Sequence, residues 1–164
     1  MKKITEQEAL LRLTSLCSTA EHCSHEMLEK MGRWELSEEE QARIMQHLIT
    51  ERYVDDERYA RFFVKDKIRY NKWGRRKVEQ ALWQKRIDSD IQQRVLNEID
   101  EEEYLNVLRP LLKSKRKSIK ATSSYEENMK LIRFAMGRGF TMDIIRQCLD
   151  NDDYDDYDDC DYED

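Results

Sequence analysis

Three stretches of this chain can be laid over one another, and that self-similarity constrains the fold more than any other feature. Leu36, Ile87 and Phe140 are placed in register. Five residues earlier stand Met31, Leu82 and Ala135, and nine earlier stand Met27, Val78 and Leu131. Nine residues later stand Met45, Leu96 and Leu149. Each register residue is followed at once by a residue suited to an N-cap, namely Ser37, Asp88 or Thr141. A period near 50 residues with apolar columns at helical spacing points to a stacked array of short helices. The reading is an all-α fold of three tandem three-helix repeats, at 4–53, 54–100 and 101–149. They would form a curved, elongated array with a disordered acidic tail at 150–164.

Punctuation along the chain agrees. One proline and four glycines in 164 residues are too few for the frequent turns of an all-β fold. Thr5-x-x-Glu8, Ser37-x-x-Glu40 and Ser124-x-x-Glu127 have capping-box form, with a hydroxyl and a carboxylate each accepting from an orphan backbone N–H. Pro110 falls inside a helical stretch and should kink that helix or start a new one, because it lacks an N–H. The lysine- and serine-rich segment 113–124 reads as a frayed helix end followed by a loop.

Charge divides the chain. The formal net charge is −6, but residues 150–164 hold ten acidic residues and no basic one, which leaves 1–149 at +4. Blocks of like charge repel and stay disordered. Residues 58–86 hold eleven lysines and arginines against two acids, Asp66 and Glu79. Arg58, Arg61, Lys65 and Arg69 step by three, four and four, which puts them on one helix face. Tyr59, Phe62 and Phe63 are expected to pack inward. Lys72, Arg75, Arg76 and Lys77 follow around Gly74, then Lys85 and Arg86, and a second cluster contains Lys115, Arg116 and Lys117. Such stripes track phosphates or meet an acidic protein surface; a merely solvated face is the plainer alternative.

Catalytic constellations are missing from the pattern. Asp55-Asp56-Glu57 is an acidic triplet, but adjacent helical residues do not face one point, so capping and the macrodipole account for it better than a metal site. Cys17, His22, Cys23 and His25 match no common zinc spacing. Gly32 and Gly74 stand alone, and Gly137-x-Gly139 reads as a helix terminus. No catalytic residue, metal or cofactor is expected, and the chain is not read as an enzyme. Trp83 could stack on a base or anchor an interface, but the usual burial of large aromatics favours a plug between repeats. The two lysines near the amino terminus precede polar residues rather than an apolar segment, so the expectation is cytoplasmic, with reduced thiols and no membrane span.

The run Tyr53-Val54-Asp55-Asp56-Glu57-Arg58-Tyr59-Ala60-Arg61-Phe62, then Gly74-Arg75-Arg76-Lys77-Val78 and Leu82-x-x-Lys85-x-Ile87, resembles the RecX family. Arg138-Gly139-Phe140 followed by Asp143-Ile144-Ile145 looks like that family's closing repeat. The resemblance covers about residues 5–149. Its first unit departs, with Glu21, His22 and Cys23 where the family shows an arginine and a tyrosine. The resemblance implies a monomeric regulator of the RecA recombinase in DNA repair, recombination and the SOS response. It would lodge in the groove of the RecA–DNA filament and inhibit it. It would meet the filament, or single- and double-stranded DNA mainly through the backbone, with the basic residues named above. Two other readings stay open: a stand-alone helix-turn-helix regulator, and an enzyme using Asp55 and Asp56 with a metal. The tail is either a solubility tail or a shield tethered beside the basic surface. If it shields, deleting 150–164 tightens filament binding at low salt; unchanged affinity across a salt series disposes of the idea.

Overall fold

The computed structural model describes residues 4–149, so the tail expected at 150–164 lies outside the described residues. Among the described residues there are nine helices and no strand: α1 (Glu6–Thr19), α2 (Ser24–Arg33), α3 (Glu38–Thr50), α4 (Asp56–Arg69), α5 (Arg75–Gln84), α6 (Ser89–Asn97), α7 (Glu101–Ser118), α8 (Ser124–Gly137) and α9 (Met142–Cys148). No helix among them is long and apolar enough to cross a membrane.

The twelve residues of the four overlaid columns are all buried. What holds them in register is a turn that occurs three times. Glu35, Arg86 and Gly139 each take a positive φ, at 58°, 53° and 93°. The amide after each donates back five residues: Leu36 to Met31 at 3.2 Å, Ile87 to Leu82 at 3.2 Å, and Phe140 to Ala135 at 3.1 Å. The left-handed residue itself donates to Gly32, Trp83 or Met136 at 3.1, 2.9 and 2.9 Å. These two bonds form the Schellman motif, which satisfies the last carbonyls of a helix and folds the next apolar residue back on the final turn. The apolar column five residues apart is that contact. Ser37, Asp88 and Thr141 then start the third helix of each set, although the Thr141 side chain makes no capping bond. Two further contacts repeat at a spacing of 51: Arg43 with Glu6 (2.8 Å) and Arg94 with Glu57 (2.6 Å), and the side-chain amides of Gln41 and Gln92 donating to the carbonyls of Leu36 and Ile87.

The chain separates into two compact units, each taking part of the middle repeat. The first contains the chain up to Lys65 together with Gln80–Asn97. Part of its core is Ala9, Leu13, Met27, Met31, Ile44 and Leu48. Here Asp56 receives the backbone N–H and hydroxyl of Ser24 at 2.8 and 2.9 Å, and Arg58 donates to Glu21 at 2.8 Å. The Cys23 amide donates to Glu26 at 3.2 Å. Burial alone would raise the Glu26 pKa, but hydrogen bonds from Cys23 and His22 with the nearby Lys85 charge hold it below its ordinary value.

The second unit joins Asp66–Glu79 to the chain from Glu98 onward. Its helices α7, α8 and α9 bury Leu105, Leu108, Leu131, Ile132, Phe140 and Ile145. The start of α5 docks on the α8–α9 turn, backbone against backbone. Gly74 N–H donates to the Arg138 carbonyl at 2.8 Å, and Arg76 N–H to that of Gly139 at 3.0 Å. A Cβ on Gly74 would overlap the backbone of Gly139 and Phe140, and one on Gly139 would overlap Lys77. Only glycine permits this approach.

Three local expectations need correction. The α7 helix runs unbroken through Pro110 to Ser118, so it neither restarts at the proline nor frays from Lys113. Pro110 and Asn106 both lie on the exposed side of α7, the side on which the Asn106 carbonyl loses its helical donor. The cap of α8 is Ser123, which accepts from Glu126 N–H at 3.1 Å, and not Ser124. Two adjacent serines each stand three residues before a glutamate. Glu127 is drawn instead to Arg116, at 2.7 Å, while Glu126 accepts from Thr122 N–H (3.1 Å) and hydroxyl (2.8 Å). Those two bonds and Lys130 hold the Glu126 carboxyl down at about 2.

The glycines separate by environment. Gly74→Ala should destabilise the chain by about 1–3 kcal/mol through overpacking. Gly137→Ala, in a helix with open space around it, should be neutral or stabilise by up to about 1 kcal/mol. Urea denaturation of both variants checks this; equal midpoints would mean that the backbone contact at Gly74 contributes nothing to stability.

Candidate nucleic-acid and partner interface

The acidic triplet is used up by the fold. Asp55 accepts from Arg58 N–H at 3.1 Å and caps α4. Asp56 binds Ser24 at the start of α2. Glu57 pairs with Arg94 at 2.6 Å and reaches Arg61 at 3.6 Å. Among the described residues no group of three histidines, cysteines or acids is placed to hold a metal ion. Cys17, Cys23 and Cys148 are free, and burial raises the pKa of each. Cys23, pushed up to about 12, is no nucleophile at neutral pH.

The thirteen basic residues read from the sequence fall into two groups. In the first unit Arg58 is half-buried, gives Nε to Glu21, and gives a second nitrogen to the carbonyls of Arg52 (3.1 Å) and Tyr53 (3.3 Å). Its task is to fasten the α4 start to the α1–α2 connection. Arg61 pairs with Glu57. Lys85 lies near Glu26 and its carbonyl accepts from the Cys23 thiol at 3.9 Å. Lys65 and Arg86 are exposed and have no acidic partner among the described residues.

In the second unit Lys77 sits 4.9 Å over the Trp73 ring, with Lys67 at 5.3 Å over the same ring. Arg75 lines a cavity of about 200 Å³ with Ile99, Tyr104, Phe140 and Ile144. The Tyr104 hydroxyl is buried there without a partner, and burial, against the opposing Arg75 charge, pushes its pKa up to about 12. Lys115 lies 5.1 Å over Phe134, and Arg116 holds Glu127. Arg69, Lys72, Arg76 and Lys117 are exposed and have no acidic partner among the described residues.

Aromatic placement departs from expectation. Tyr59 is buried and stacks on Phe63 at 5.7 Å, but Phe62 is 61% exposed. It stands four residues after Arg58 and three before Lys65, so helical geometry puts it within the basic stripe rather than beneath it. Trp83 is 74% exposed and does not plug a joint. Tyr70, not singled out from the sequence, is 76% exposed. Arg138 was also missed as a positioning group: it donates to the carbonyls of Asn71 (2.7 Å) and Lys72 (3.1 Å) and pins the α4–α5 turn. The signal for Phe62 was present in its spacing; nothing local announced Arg138, which acts 66 residues away from Lys72.

An all-helical chain of tandem three-helix units, with exposed aromatics and with cations that have no acidic partner among the described residues, defines a helical-repeat protein. Residues 55–96 match the second three-helix domain of RecX, and residues 101–149 match the third. This chain belongs to the RecX family. It is 28% identical over 150 residues to Regulatory protein RecX of Vibrio campbellii, covering 92% of this chain and 93% of that one. It is 32% identical over 105 residues to Regulatory protein RecX of Lactobacillus gasseri, covering 64% of this chain and 39% of that protein. With the Lactobacillus johnsonii protein it shares 27% identity over 87% of this chain and 53% of that protein, so it spans about half or less of these two relatives. The crystal structure of RecX from Lactobacillus salivarius superposes with a TM-score of 0.78 at 19% identity, over 87% of this chain and 93% of that one, and shares its fold.

The division of labour is measurable. Asp56→Ala should cost about 1–2 kcal/mol by removing a cap, and Arg58→Ala about 1.5–3 kcal/mol by stranding Glu21. Lys65→Ala should stay within about 0.5 kcal/mol of the parent. Chemical denaturation of the three variants tests this, and an unperturbed Arg58→Ala would return that residue to the binding surface.

Proposed function

We propose that this chain regulates the RecA recombinase in DNA repair and recombination, binding in the groove of RecA–DNA filaments and restraining them. The observation that carries the reading is the set of cations with no acidic partner among the described residues, displayed by a chain of the RecX family. Lys65, Arg69, Lys72, Arg76, Arg86 and Lys117 belong to it. Like charges close together on a surface repel, by a few tenths of a kcal/mol for neighbours on a helix. A polyanion offsets that repulsion and releases its counterions. Of the remaining predicted cations, Arg58, Arg61 and Arg116 are held by carboxylates, and Lys77 and Lys115 lie over aromatic rings. Lysine and arginine dominate the set, which suits contact with phosphates more than the reading of base edges.

The test is RecA-catalysed strand exchange with the full chain added at stoichiometric ratio to RecA. The parent should slow exchange. A variant carrying Arg69→Glu, Lys72→Glu and Arg76→Glu should lose most of that effect near physiological salt while keeping its melting temperature. No effect of the parent overturns the regulatory reading. Undiminished inhibition by the triple variant removes this surface from the contact. Retention of one duplex sequence at raised salt would favour a helix-turn-helix regulator instead.

A further inference from the structure

We infer that the turn between α4 and α5 is a stacking site for single-stranded nucleic acid, with Tyr70 as the platform for a base and Arg69, Lys72 and Arg76 as contacts for the flanking phosphates. This deepens the nucleic-acid part of the proposed function and rests on it.

All the groups lie in the second unit, within eight consecutive residues. Among the described residues Tyr70 is the most exposed large hydrophobic side chain, at 76%. Arg69, Lys72 and Arg76 are exposed, and no acid among the described residues pairs with any of them. Cations placed one residue before, two after and six after an open aromatic ring offer what a single strand presents, a π-face between anions.

The turn is also built to stay in shape. Tyr70 N–H closes the last turn of α4 on the Asp66 carbonyl at 2.9 Å, and Trp73 N–H reaches back to Lys67 at 3.1 Å. Gly74 N–H is held by the Arg138 carbonyl at 2.8 Å. From the same residue the guanidinium holds the Asn71 and Lys72 carbonyls. That cation offsets the partial negative charge at the carboxyl end of α4, which would otherwise repel a phosphate. Arg138 is itself steadied over the Phe134 ring at 5.7 Å.

Lys72 closes α4 with a φ of 58°, the left-handed helix ending that Glu35, Arg52 and Arg86 also take. Its own side chain satisfies nothing in the fold and is left exposed. Trp73, by contrast, is covered by Lys67 and Lys77, so its ring is occupied where the Tyr70 ring is open.

The ring selects the ligand. Phosphates of either duplex or single strand satisfy the cations, but a base can lie on Tyr70 only where it is not stacked inside a helix. A protein surface could also cover the phenol, and comparing strands with and without bases separates the two.

The experiment measures binding of the full chain to labelled oligothymidylate and to an abasic strand of equal length and charge, using the parent, Tyr70→Phe and Tyr70→Ala, with RecA strand exchange run in parallel. The parent and Tyr70→Phe should hold oligothymidylate about tenfold more tightly than the abasic strand. Tyr70→Ala should bind both strands alike, at the abasic level, with the same thermal stability. Lys72→Gly should weaken both strands without loss of stability. Equal affinity of the parent for the two strands overturns the inference, as does a base preference that survives in Tyr70→Ala. If the parent inhibits RecA yet ignores bases, the stacking site falls and the regulatory reading stands. If it prefers bases yet leaves RecA untouched, the stacking site stands and the regulatory reading falls. If Tyr70→Ala loses only its effect on RecA, the ring contacts protein and the inference is wrong.

Discussion

The left-handed turn that ends the second helix of each set is the constraint on which the other features rest. At Glu35, Arg86 and Gly139 it closes one helix, returns Leu36, Ile87 or Phe140 to the core, and starts the next helix within two residues. The same turn is a docking surface. In the second unit it receives the amino end of α5 by two backbone hydrogen bonds. In the first, the Lys85 carbonyl beside Arg86 faces the Cys23 thiol. Cys23 stands 51 residues before Gly74, and Arg86 stands 53 before Gly139, so the two joints are copies. They differ in closeness. Where two backbones touch, both partners are glycine; where a side chain intervenes, an arginine bears the left-handed conformation at a cost of about 1–2 kcal/mol.

That explains which parts of the fold were legible. The columns five and nine residues apart could be read because the Schellman turn fixes them locally, and every column residue is buried. The caps at Thr5 and Ser37 follow from adjacent side chains in the same way. Failures arose where two local solutions compete or where a distant group decides. Ser123 and Ser124 offer equivalent boxes, and only the Arg116–Glu127 pair separates them. Pro110 is accommodated within α7 on its exposed side, a matter of which side of the helix meets the core. Phe62 was misplaced by hydrophobicity overruling spacing, although its offsets from Arg58 and Lys65 already put it among the cations.

The candidate site shows a sharper division. The stretch from Tyr53 to Phe62, which carries the strongest resemblance to the family, works mainly within the fold: Asp55 caps, Asp56 receives Ser24, Glu57 holds Arg94 and Arg58 holds Glu21. The departure at Glu21–Cys23 belongs to the same set, since Glu21 accepts from Arg58 and Cys23 donates to Glu26. A buried carboxylate oxygen is costly unless it is paired, and one oxygen of Glu21 has no partner. The Arg58 contact is therefore more a requirement of the joint than a source of spare stability. Most of the motif's charged side chains are thus engaged within the fold, and the exposed lysines and arginines that have no acidic partner among the described residues lie outside it.

Charge and rigidity meet at the α4–α5 turn. Exposed cations on flexible stems bind polyanions with steep salt dependence and little orientation. Fixing their backbone lowers the ordering cost of binding, which is what preorganisation contributes to affinity. The second unit does this with Gly74 against Gly139 and with Arg138 across Asn71 and Lys72, so the rigidity of the display depends on the same turn that organises the core. A substitution that loosened the glycine contact would therefore act at two levels. It would lower stability through the overlap at Phe140, and it would disorder the cations of 69–76 without touching one of them. Stability and anion affinity should fall together for changes at Gly74, whereas changes at Tyr70 should remove the base preference alone, because only the first lies on the path from core to surface.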